Sequence, residues 1–174
     1  MKKPTQKATV VFLLNKEKSV CLARKKQAIH HQDGAIEYSL SMYNGYGGKM
    51  EISDATIYDT AIRELIDESN VSASKENLEL VSRVYFYVKK EEEFIPFMEV
   101  SFFFLSIWQG TPVEGSEMGA PLFFPLDNIP YHQMMPADKQ LLEQMFQGER
   151  KVYEVKLFGK SIPPIVRVLD EELV

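Results

Sequence analysis

The sequence predicts an α+β sandwich in which a mixed β-sheet packs between two helices. Apolar and β-branched runs separated by polar turns recur along the chain, as they do in antiparallel hairpins. Two other segments, residues 55–69 and 137–147, carry apolar side chains at helical spacing. The 174 residues, of which 45% are hydrophobic, can bury one core, so we expect a single domain over residues 1–174.

The first strands are predicted as two hairpins. Residues 8–14 and 19–25 are rich in β-forming side chains and are joined by a polar turn. Residues 78–88 and 97–108 are long, aromatic and β-branched, and the acidic residues 91–93 between them suit a solvated turn. Each pair is therefore expected to be antiparallel.

The remaining chain predicts shorter elements. Residues 121–125 and 151–158 are strand candidates, and the helix over 137–147 is expected to end at Gly148. Residues 26–42 are polar without clear periodicity and are expected to form a loop. No repeat or low-complexity tract suggests a linker between domains.

Charge and cysteine content narrow the possible partners. The net charge of −5 argues against a sequence-independent binder of DNA or RNA, which needs clustered Lys and Arg. Cys21 is the only cysteine and is expected to be a small buried residue, which suits a reducing cytoplasm. The apolar run 8–14 is too short for a signal peptide, and no segment is long enough to span a membrane. We expect a cytoplasmic protein with a small-molecule partner, and the oligomeric state stays open.

The helix predicted over residues 55–69 contains the first residue pattern that indicates a functional site. Its apolar face includes Ala61 and Leu65, and Asp54 is a candidate N-cap. Glu64, Asp67 and Glu68 stand at i, i+3 and i+4, which places three carboxylates on one stripe.

Two interpretations of this acidic stripe remain open. It is either an ordinary solvated face or a cation site, because like charges at this spacing repel by a few tenths of a kcal/mol per pair. Oxygen ligands suit Mg²⁺, which usually keeps water ligands and bridges carboxylates to substrate phosphates.

A glycine-rich segment precedes the helix, in the order Tyr43-Asn44-Gly45-Tyr46-Gly47-Gly48-Lys49. Three glycines in four residues imply unusual backbone angles or the close approach of another group. The helix then continues as Arg63-Glu64-Leu65-Ile66-Asp67-Glu68-Ser69-Asn70-Val71. Together the two segments resemble the Nudix box, which runs Gly, five residues, Glu, seven residues, then Arg-Glu-aliphatic-any-Glu-Glu-any-Gly-aliphatic.

The match departs from the Nudix pattern at four places. The interval from Gly48 to Arg63 is one residue longer, and the early Glu is represented only by Asp54 or Ala55. Asp67 replaces the first Glu of the pair and is one methylene shorter. Asn70 replaces the closing Gly, and Asn is the commonest other residue to accept a left-handed backbone.

The resemblance implies a metal site and a hydrolytic mechanism. Metal ligands by position are the Gly47 carbonyl, Glu64 and Glu68, with Asp67 as a further ligand or supporting acid and Glu117 supplied by a later loop. Arg63 would orient these acids, and Lys49 would face phosphate. The implied cofactor is Mg²⁺, with Mn²⁺ as an alternative, which polarises phosphate oxygens and helps to activate water.

The resemblance extends to the branch of the family that hydrolyses oxidised purine nucleoside triphosphates. The shared segments include residues 106–114, 117–118, 126–130 and 135–136, whereas the stretch 26–42 is an apparent insertion. By position, the residues implied to line the base pocket are Thr9, Lys25, Asn44, Phe86, Met98, Met135 and Asp138.

The base-binding end also departs from that branch. Met135 stands where the branch has a stacking Trp, Ala137 replaces one of two adjacent Asp residues, and Leu141 and Val88 replace a second Trp and a Phe. Base stacking on an aromatic ring contributes roughly 1–3 kcal/mol, of which Met supplies only part.

Structural alternatives remain for several of these positions. Asn44 is either a base contact or a bond within the glycine loop, and Phe86 and Met98 are either pocket or core. Asp138 is either a base contact or a helix N-cap.

The function that the resemblance implies is hydrolysis of a nucleoside triphosphate, such as the oxidised purine nucleotide 8-oxo-dGTP, to the monophosphate and pyrophosphate. Two alternatives stay open. One is a Nudix hydrolase of a nucleoside diphosphate derivative, either a sugar nucleotide or a dinucleotide. The other is a Nudix-fold nucleotide-binding module that has lost hydrolysis.

Overall fold

The computed structural model of the chain describes residues 2–27, 29–30, 37–38, 40–159 and 162–173. Ten strands and two α-helices appear in these residues. In chain order they are β1 Lys7–Leu14, β2 Ser19–Arg24, β3 Ile29–His30, β4 Glu37–Tyr38, β5 Tyr43–Asn44, α1 Ile57–Ser69, β6 Leu78–Lys90, β7 Glu93–Leu105, β8 Leu122–Pro125, α2 Asp138–Phe146, β9 Lys151–Leu157 and β10 Ile165–Leu169.

Eight of these strands form one mixed sheet. Seven follow the order β10-β9-β6-β7-β1-β2-β5, and the eighth, β8, also pairs with β2. β1 lies parallel to β7, and β6 lies parallel to β9, whereas the other strand pairs are antiparallel. The predicted mixed sheet and both predicted hairpins are therefore confirmed.

Alternation along the strands gives the sheet two apolar faces. In β1, Val10 and Phe12 belong to the cluster that also contains α2 residues such as Leu141. Val11 and Leu13 point to the other face, where they pack in the cluster that contains Leu65 of α1. Since successive strand residues point to opposite faces, one sheet supports a helix on each side. The predicted sandwich is confirmed.

Two parts of the chain differ from the sequence-based expectation. Within the expected loop 26–42, β3 and β4 pair as a separate two-stranded sheet, and residues 31–36 between them lie outside the described part of the chain. β10 was not anticipated, because its residues 165–169 follow two prolines and alternate only partly between exposed and half-buried positions.

The start of α1 corrects one prediction. Thr56, not Asp54, is the N-cap, because the Thr56 hydroxyl accepts the Asp59 N–H while the Asp59 carboxylate accepts the Thr56 N–H. This reciprocal pair is a capping box, which satisfies two otherwise free N–H groups. Asp54 is thereby left available for a different bond.

The end of α1 agrees with the expectation for its terminal residue. Asn70 adopts a left-handed backbone with φ 59° and ψ 24°, and its N–H donates to the Ile66 carbonyl. Asn thus performs the helix-ending role that Gly more often has. Among the described residues, neither helix has the length and apolar character needed to cross a membrane.

Candidate active site

A cavity of about 660 Å³ runs from the acidic stripe of α1 to the start of α2. Every residue singled out from the sequence for metal, phosphate or base binding lines it. From the α1 side these are Gly47, Lys49, Arg63, Glu64, Asp67, Glu68 and Glu117, and from the other walls they are Thr9, Lys25, Asn44, Phe86, Met98, Met135 and Asp138. The size lies within the usual range of small-molecule sites.

The glycine loop packs directly against α1. Glu68 accepts the Gly47 N–H at 2.7 Å, and the Gly48 carbonyl accepts the Thr9 N–H at 2.9 Å. A Cβ at Gly47 would lie 2.1 Å from the Thr9 carbonyl oxygen, and one at Gly48 would lie 2.6 Å from the Glu64 carboxyl group. Glycine is required at Gly47, where a Cβ would meet the backbone of β1, whereas a Cβ at Gly48 would displace the Glu64 carboxyl group.

Arg63 holds the acidic stripe and the glycine loop together. Its guanidinium donates to both Asp54 carboxylate oxygens at 3.1 and 2.8 Å, and to Glu64 at 2.7 Å. It also donates to the Lys49 carbonyl at 3.0 Å. The bidentate bonds from Arg63 hold the pKa of Asp54 well below its usual range. Asp54 therefore fixes the orientation of Arg63.

Glu68 is the most buried of the acids. Its side chain is 3% exposed and lies 3.7 Å from the Lys25 ammonium group. Burial raises the pKa of Glu68 to about 7, and the charges of Glu64 and Glu117 add to this, while Lys25 and the Gly47 N–H oppose it. Burial likewise raises the pKa of Glu64, against the effect of Arg63.

The loop that carries Glu117 is fastened to β2. The Glu117 carbonyl accepts the Lys26 N–H at 2.8 Å, and the Gly119 N–H donates to the Arg24 carbonyl at 2.8 Å. Lys26 also donates through its ammonium group to the Gly115 carbonyl at 2.8 Å. These bonds place Glu117 at the acidic end of the cavity, near enough for its charge to disfavour ionisation of Glu64 and Glu68.

The donor set fits a hard divalent cation. Among the described residues, no three His, Cys, Asp or Glu side chains are grouped closely enough to hold a metal ion by themselves. Oxygen donors nevertheless line one end of the cavity, where the charge of Glu117 disfavours ionisation of both Glu64 and Glu68. An open set of carboxylates suits Mg²⁺, which commonly takes few protein ligands and fills the rest with water and phosphate.

The opposite end of the cavity is apolar and aromatic. Phe86 pairs with Met98 across β6 and β7, and both line the cavity. Phe86 also packs against the core, and Met98 is buried. The register then shifts, so that Tyr87 pairs with Pro96 and Phe97 is left as the extra residue of a bulge. Phe97 also lines the cavity. Pro96 is the one sequence signal for this irregularity, since proline inside a strand favours bulges.

Asp138 is a buried acid at this apolar end. It is the first residue of α2 and not its N-cap, which is Ala137 and makes no side-chain bond. The Asp138 carboxylate instead reaches back and accepts the Met135 N–H at 3.0 Å. Burial raises the pKa of Asp138 to about 7, because no charged partner compensates for the lost water.

Thr9 and Asn44 place two further polar groups at the cavity wall. The Thr9 hydroxyl is buried and has no hydrogen-bond partner in the described structure. The Asn44 amide oxygen accepts the Gly45 N–H at 2.8 Å, which is the loop-stabilising alternative, and its side chain also lines the cavity. An unsatisfied buried hydroxyl costs about 1–3 kcal/mol, so Thr9 is ready to bond a ligand.

Two sequence departures lie outside the cavity, and other lining residues were not anticipated. Leu141 and Val88 are fully buried in the core and do not line the cavity, so these two substitutions alter packing. The unanticipated lining side chains include Gln27, Glu51, Phe97, Ser116 and Leu157. Gln27 and Ser116 carry no pattern that distinguishes them from other polar loop residues.

Comparison with known proteins agrees with this geometry. The model of the NUDIX domain matches residues 4–145. An oxidized purine nucleoside triphosphate hydrolase from Mus musculus is 31% identical over 142 residues, which cover 82% of this chain and 80% of that protein. The protein of the same name from Danio rerio is 28% identical over 158 residues, 91% of each chain.

A solved structure also shares the fold. The MutT protein from Bacillus halodurans superposes with a TM-score of 0.70 at 17% identity, covering 96% of this chain and 99% of that one. At this identity the superposition supports the fold alone. The domain match, the identity to the mouse enzyme and the glycine loop packed on the acidic helix together show that this chain belongs to the Nudix hydrolase family, on its MutT-like side.

Proposed function

We propose that this protein is a metal-dependent pyrophosphohydrolase that cleaves a purine nucleoside triphosphate to the monophosphate and pyrophosphate. One observation carries the proposal: a single cavity joins an acidic end, suited to a metal and phosphates, to an apolar end of the size and chemistry of a base. The Danio rerio and Mus musculus relatives are oxidized purine nucleoside triphosphate hydrolases, which favours this substrate class and includes 8-oxo-dGTP as a candidate.

In this proposal the acidic end binds the cofactor. Glu64, Glu68 and the Gly47 carbonyl are the main ligands, with Asp67 and Glu117 as further acids. Bound Mg²⁺ or Mn²⁺ would neutralise phosphate charge and lower the pKa of a ligated water. Arg63 keeps Glu64 oriented through its bonds to Asp54 and the Lys49 carbonyl.

The other lining residues would bind the nucleotide. Lys25 and Lys49 supply positive charge toward phosphates, and the Thr9 hydroxyl and Asn44 amide can bond sugar or base. Phe86, Met98 and Met135 form the apolar surface against which a base packs, and Asp138 meets its polar edge. We further propose a cytoplasmic location, which the lone buried thiol of Cys21 fits.

Selectivity for an oxidised base is expected to be weak. Met135 and Ala137 line the cavity where the related branch has a Trp and an Asp, so stacking and one charge-assisted bond are both reduced. A wild-type preference of about a hundredfold for 8-oxo-dGTP over dGTP, which corresponds to about 3 kcal/mol, would contradict this expectation.

The test is a nucleotide screen with Mg²⁺ that scores phosphate and pyrophosphate release separately. Nucleoside triphosphates, sugar nucleotides and dinucleotides are compared at equal concentration. Pyrophosphate from a purine triphosphate supports the proposal. Turnover of a diphosphate derivative alone would favour the first alternative, and tight binding without turnover would favour a silent binding module.

A further inference from the structure

Arg24, the last residue of β2, connects three segments of the chain without lining the cavity. Its guanidinium donates to the Ser41 carbonyl at 2.5 Å and to the side-chain oxygen of Gln133. The same group lies 4.1 Å from the centre of the Tyr43 ring. Arginine is suited to this arrangement because its planar fork can donate in two directions while its face stacks on an aromatic ring.

On one side of Arg24 are residues that form the first cavity wall. Lys25 follows Arg24 directly, and Asn44 follows Tyr43, which pairs with Arg24 across β2 and β5. Both Lys25 and Asn44 line the cavity. A contact that holds Arg24 against Tyr43 therefore also sets the place of these two side chains.

On the other side, Gln133 belongs to the segment that forms the facing wall. Backbone bonds link Met134 to Tyr131 and Asp138 to Met135, at 3.1 and 2.9 Å. The Asp138 carboxylate closes the segment by accepting the Met135 N–H. An anchor at Gln133 thus acts on Met135 and Asp138, which line the cavity two and five residues later.

We propose that Arg24 is a positioning residue that sets the spacing between the two walls of the base-binding end. Through Gln133 it holds the segment of Met135 and Asp138, and through Tyr43 it holds Asn44. Loss of the guanidinium would leave the metal-binding end intact but loosen the fit around the base. The inference rests on the proposed function for its kinetic consequence, but the structural coupling itself does not.

The kinetic test compares Arg24→Met with Arg150→Met. Arg150 is a matched control, because it likewise donates to a side-chain oxygen and to a backbone carbonyl, lies over the ring of an aromatic residue, Phe104, and does not line the cavity. For Arg24→Met we expect KM for a purine triphosphate to rise about fivefold or more with kcat within about twofold, because base binding and not the reacting centre is affected. Arg150→Met should leave KM unchanged.

Two further variants separate positioning from general destabilisation. Gln133→Ala should raise KM similarly, and combining it with Arg24→Met should add little, since both remove one contact. Arg24→Lys, which keeps the charge but not the fork, should give an intermediate KM. Fully additive effects of Arg24→Met and Gln133→Ala, or an equal KM rise in Arg150→Met, would overturn the proposal.

A readout independent of catalysis decides the proposal even if no triphosphate is hydrolysed. With ¹³C-methyl methionine labelling, the Met135 signal is assigned from its loss in Met135→Leu. In Arg24→Met and Arg150→Met, which each add one methionine signal, it is assigned in the same way from the double variant that also carries Met135→Leu. We expect Arg24→Met and Gln133→Ala to shift this signal, and Arg150→Met to leave it in place. An unchanged Met135 signal in both Arg24→Met and Gln133→Ala overturns the positioning role, whereas absent turnover with a shifted signal counts only against the proposed function.

Discussion

Replacing Asp138 by Asn removes a buried charge while keeping a hydrogen bond. The Asp138 side chain is 7% exposed and accepts the Met135 N–H at 3.0 Å, and an Asn amide oxygen can accept the same bond. The substitution therefore separates the ionisation of the carboxyl group from its structural contact. We expect the variant to fold, and we expect its free energy of unfolding to depend less on pH than that of the wild type.

The magnitude follows from the raised pKa. Burial raises the pKa of Asp138 from 3.8 to about 7, so the folded state holds a proton that the unfolded state has released. Stability from this group is fully present below pH 3.8 and is lost as the pH rises through about 7. The shift corresponds to about 4 kcal/mol as an upper value, because the adjoining cavity admits water.

The assay is urea unfolding of the metal-free protein at several values between pH 5 and pH 8. The wild type should lose free energy of unfolding across this range, and Asp138→Asn should lose less, by roughly 1–3 kcal/mol at the alkaline end. Parallel curves for the two proteins would show that Asp138 is ionised and solvated in the folded state, and would refute the reasoning.

Three other predictions concern the cavity. Asp138→Ala should lower kcat/KM for purine substrates by a factor that corresponds to roughly 1–3 kcal/mol, and should leave kcat/KM for pyrimidine substrates nearly unchanged. An equal loss for both substrate classes would indicate a structural role only. Gly48→Ala should fold but lose about tenfold or more in turnover, because its Cβ displaces the Glu64 carboxylate. Gly47→Ala should instead lower the free energy of unfolding by more than about 2 kcal/mol, because its Cβ meets a backbone oxygen of β1. Circular dichroism and thermal melts distinguish these two outcomes. Met135→Trp should tighten purine binding by about 1 kcal/mol or more, measured by calorimetry, and unchanged affinity would place the base elsewhere.

Periodicity and spacing were sufficient to predict the helices, most strands and the acidic stripe. Strand alternation specifies which residues face which helix, and helical spacing places Glu64 beside Glu68. The parallel pairing of β1 with β7 joins residues about 90 apart in sequence, and no local pattern specifies such a partner. The fold class could therefore be predicted from the sequence, whereas the exact bounds of the elements and the strand β10 could not.

Contacts between side chains that are far apart in sequence were the hardest to predict. Asp54 was expected to cap α1, but Thr56 caps it with Asp59, and Asp54 instead binds Arg63 nine residues away. Both residues are good N-caps, so local preference could not choose between them. The contact of Arg24 with Gln133 spans 109 residues and likewise leaves no signal in the chain.

The central claim is that Glu68 binds the metal that supports hydrolysis. Glu68→Gln keeps an oxygen that can accept the Gly47 N–H, so the fold should persist, but a neutral amide is a far poorer Mg²⁺ ligand. Pyrophosphate release from a purine triphosphate is measured with saturating Mg²⁺, with Glu92→Gln as a surface control whose side chain is 96% exposed. We predict that kcat falls by about two or more orders of magnitude in Glu68→Gln alone, without a fall in melting temperature, since the substitution also removes a buried charge. Near-normal turnover in Glu68→Gln would contradict the account and place the site elsewhere.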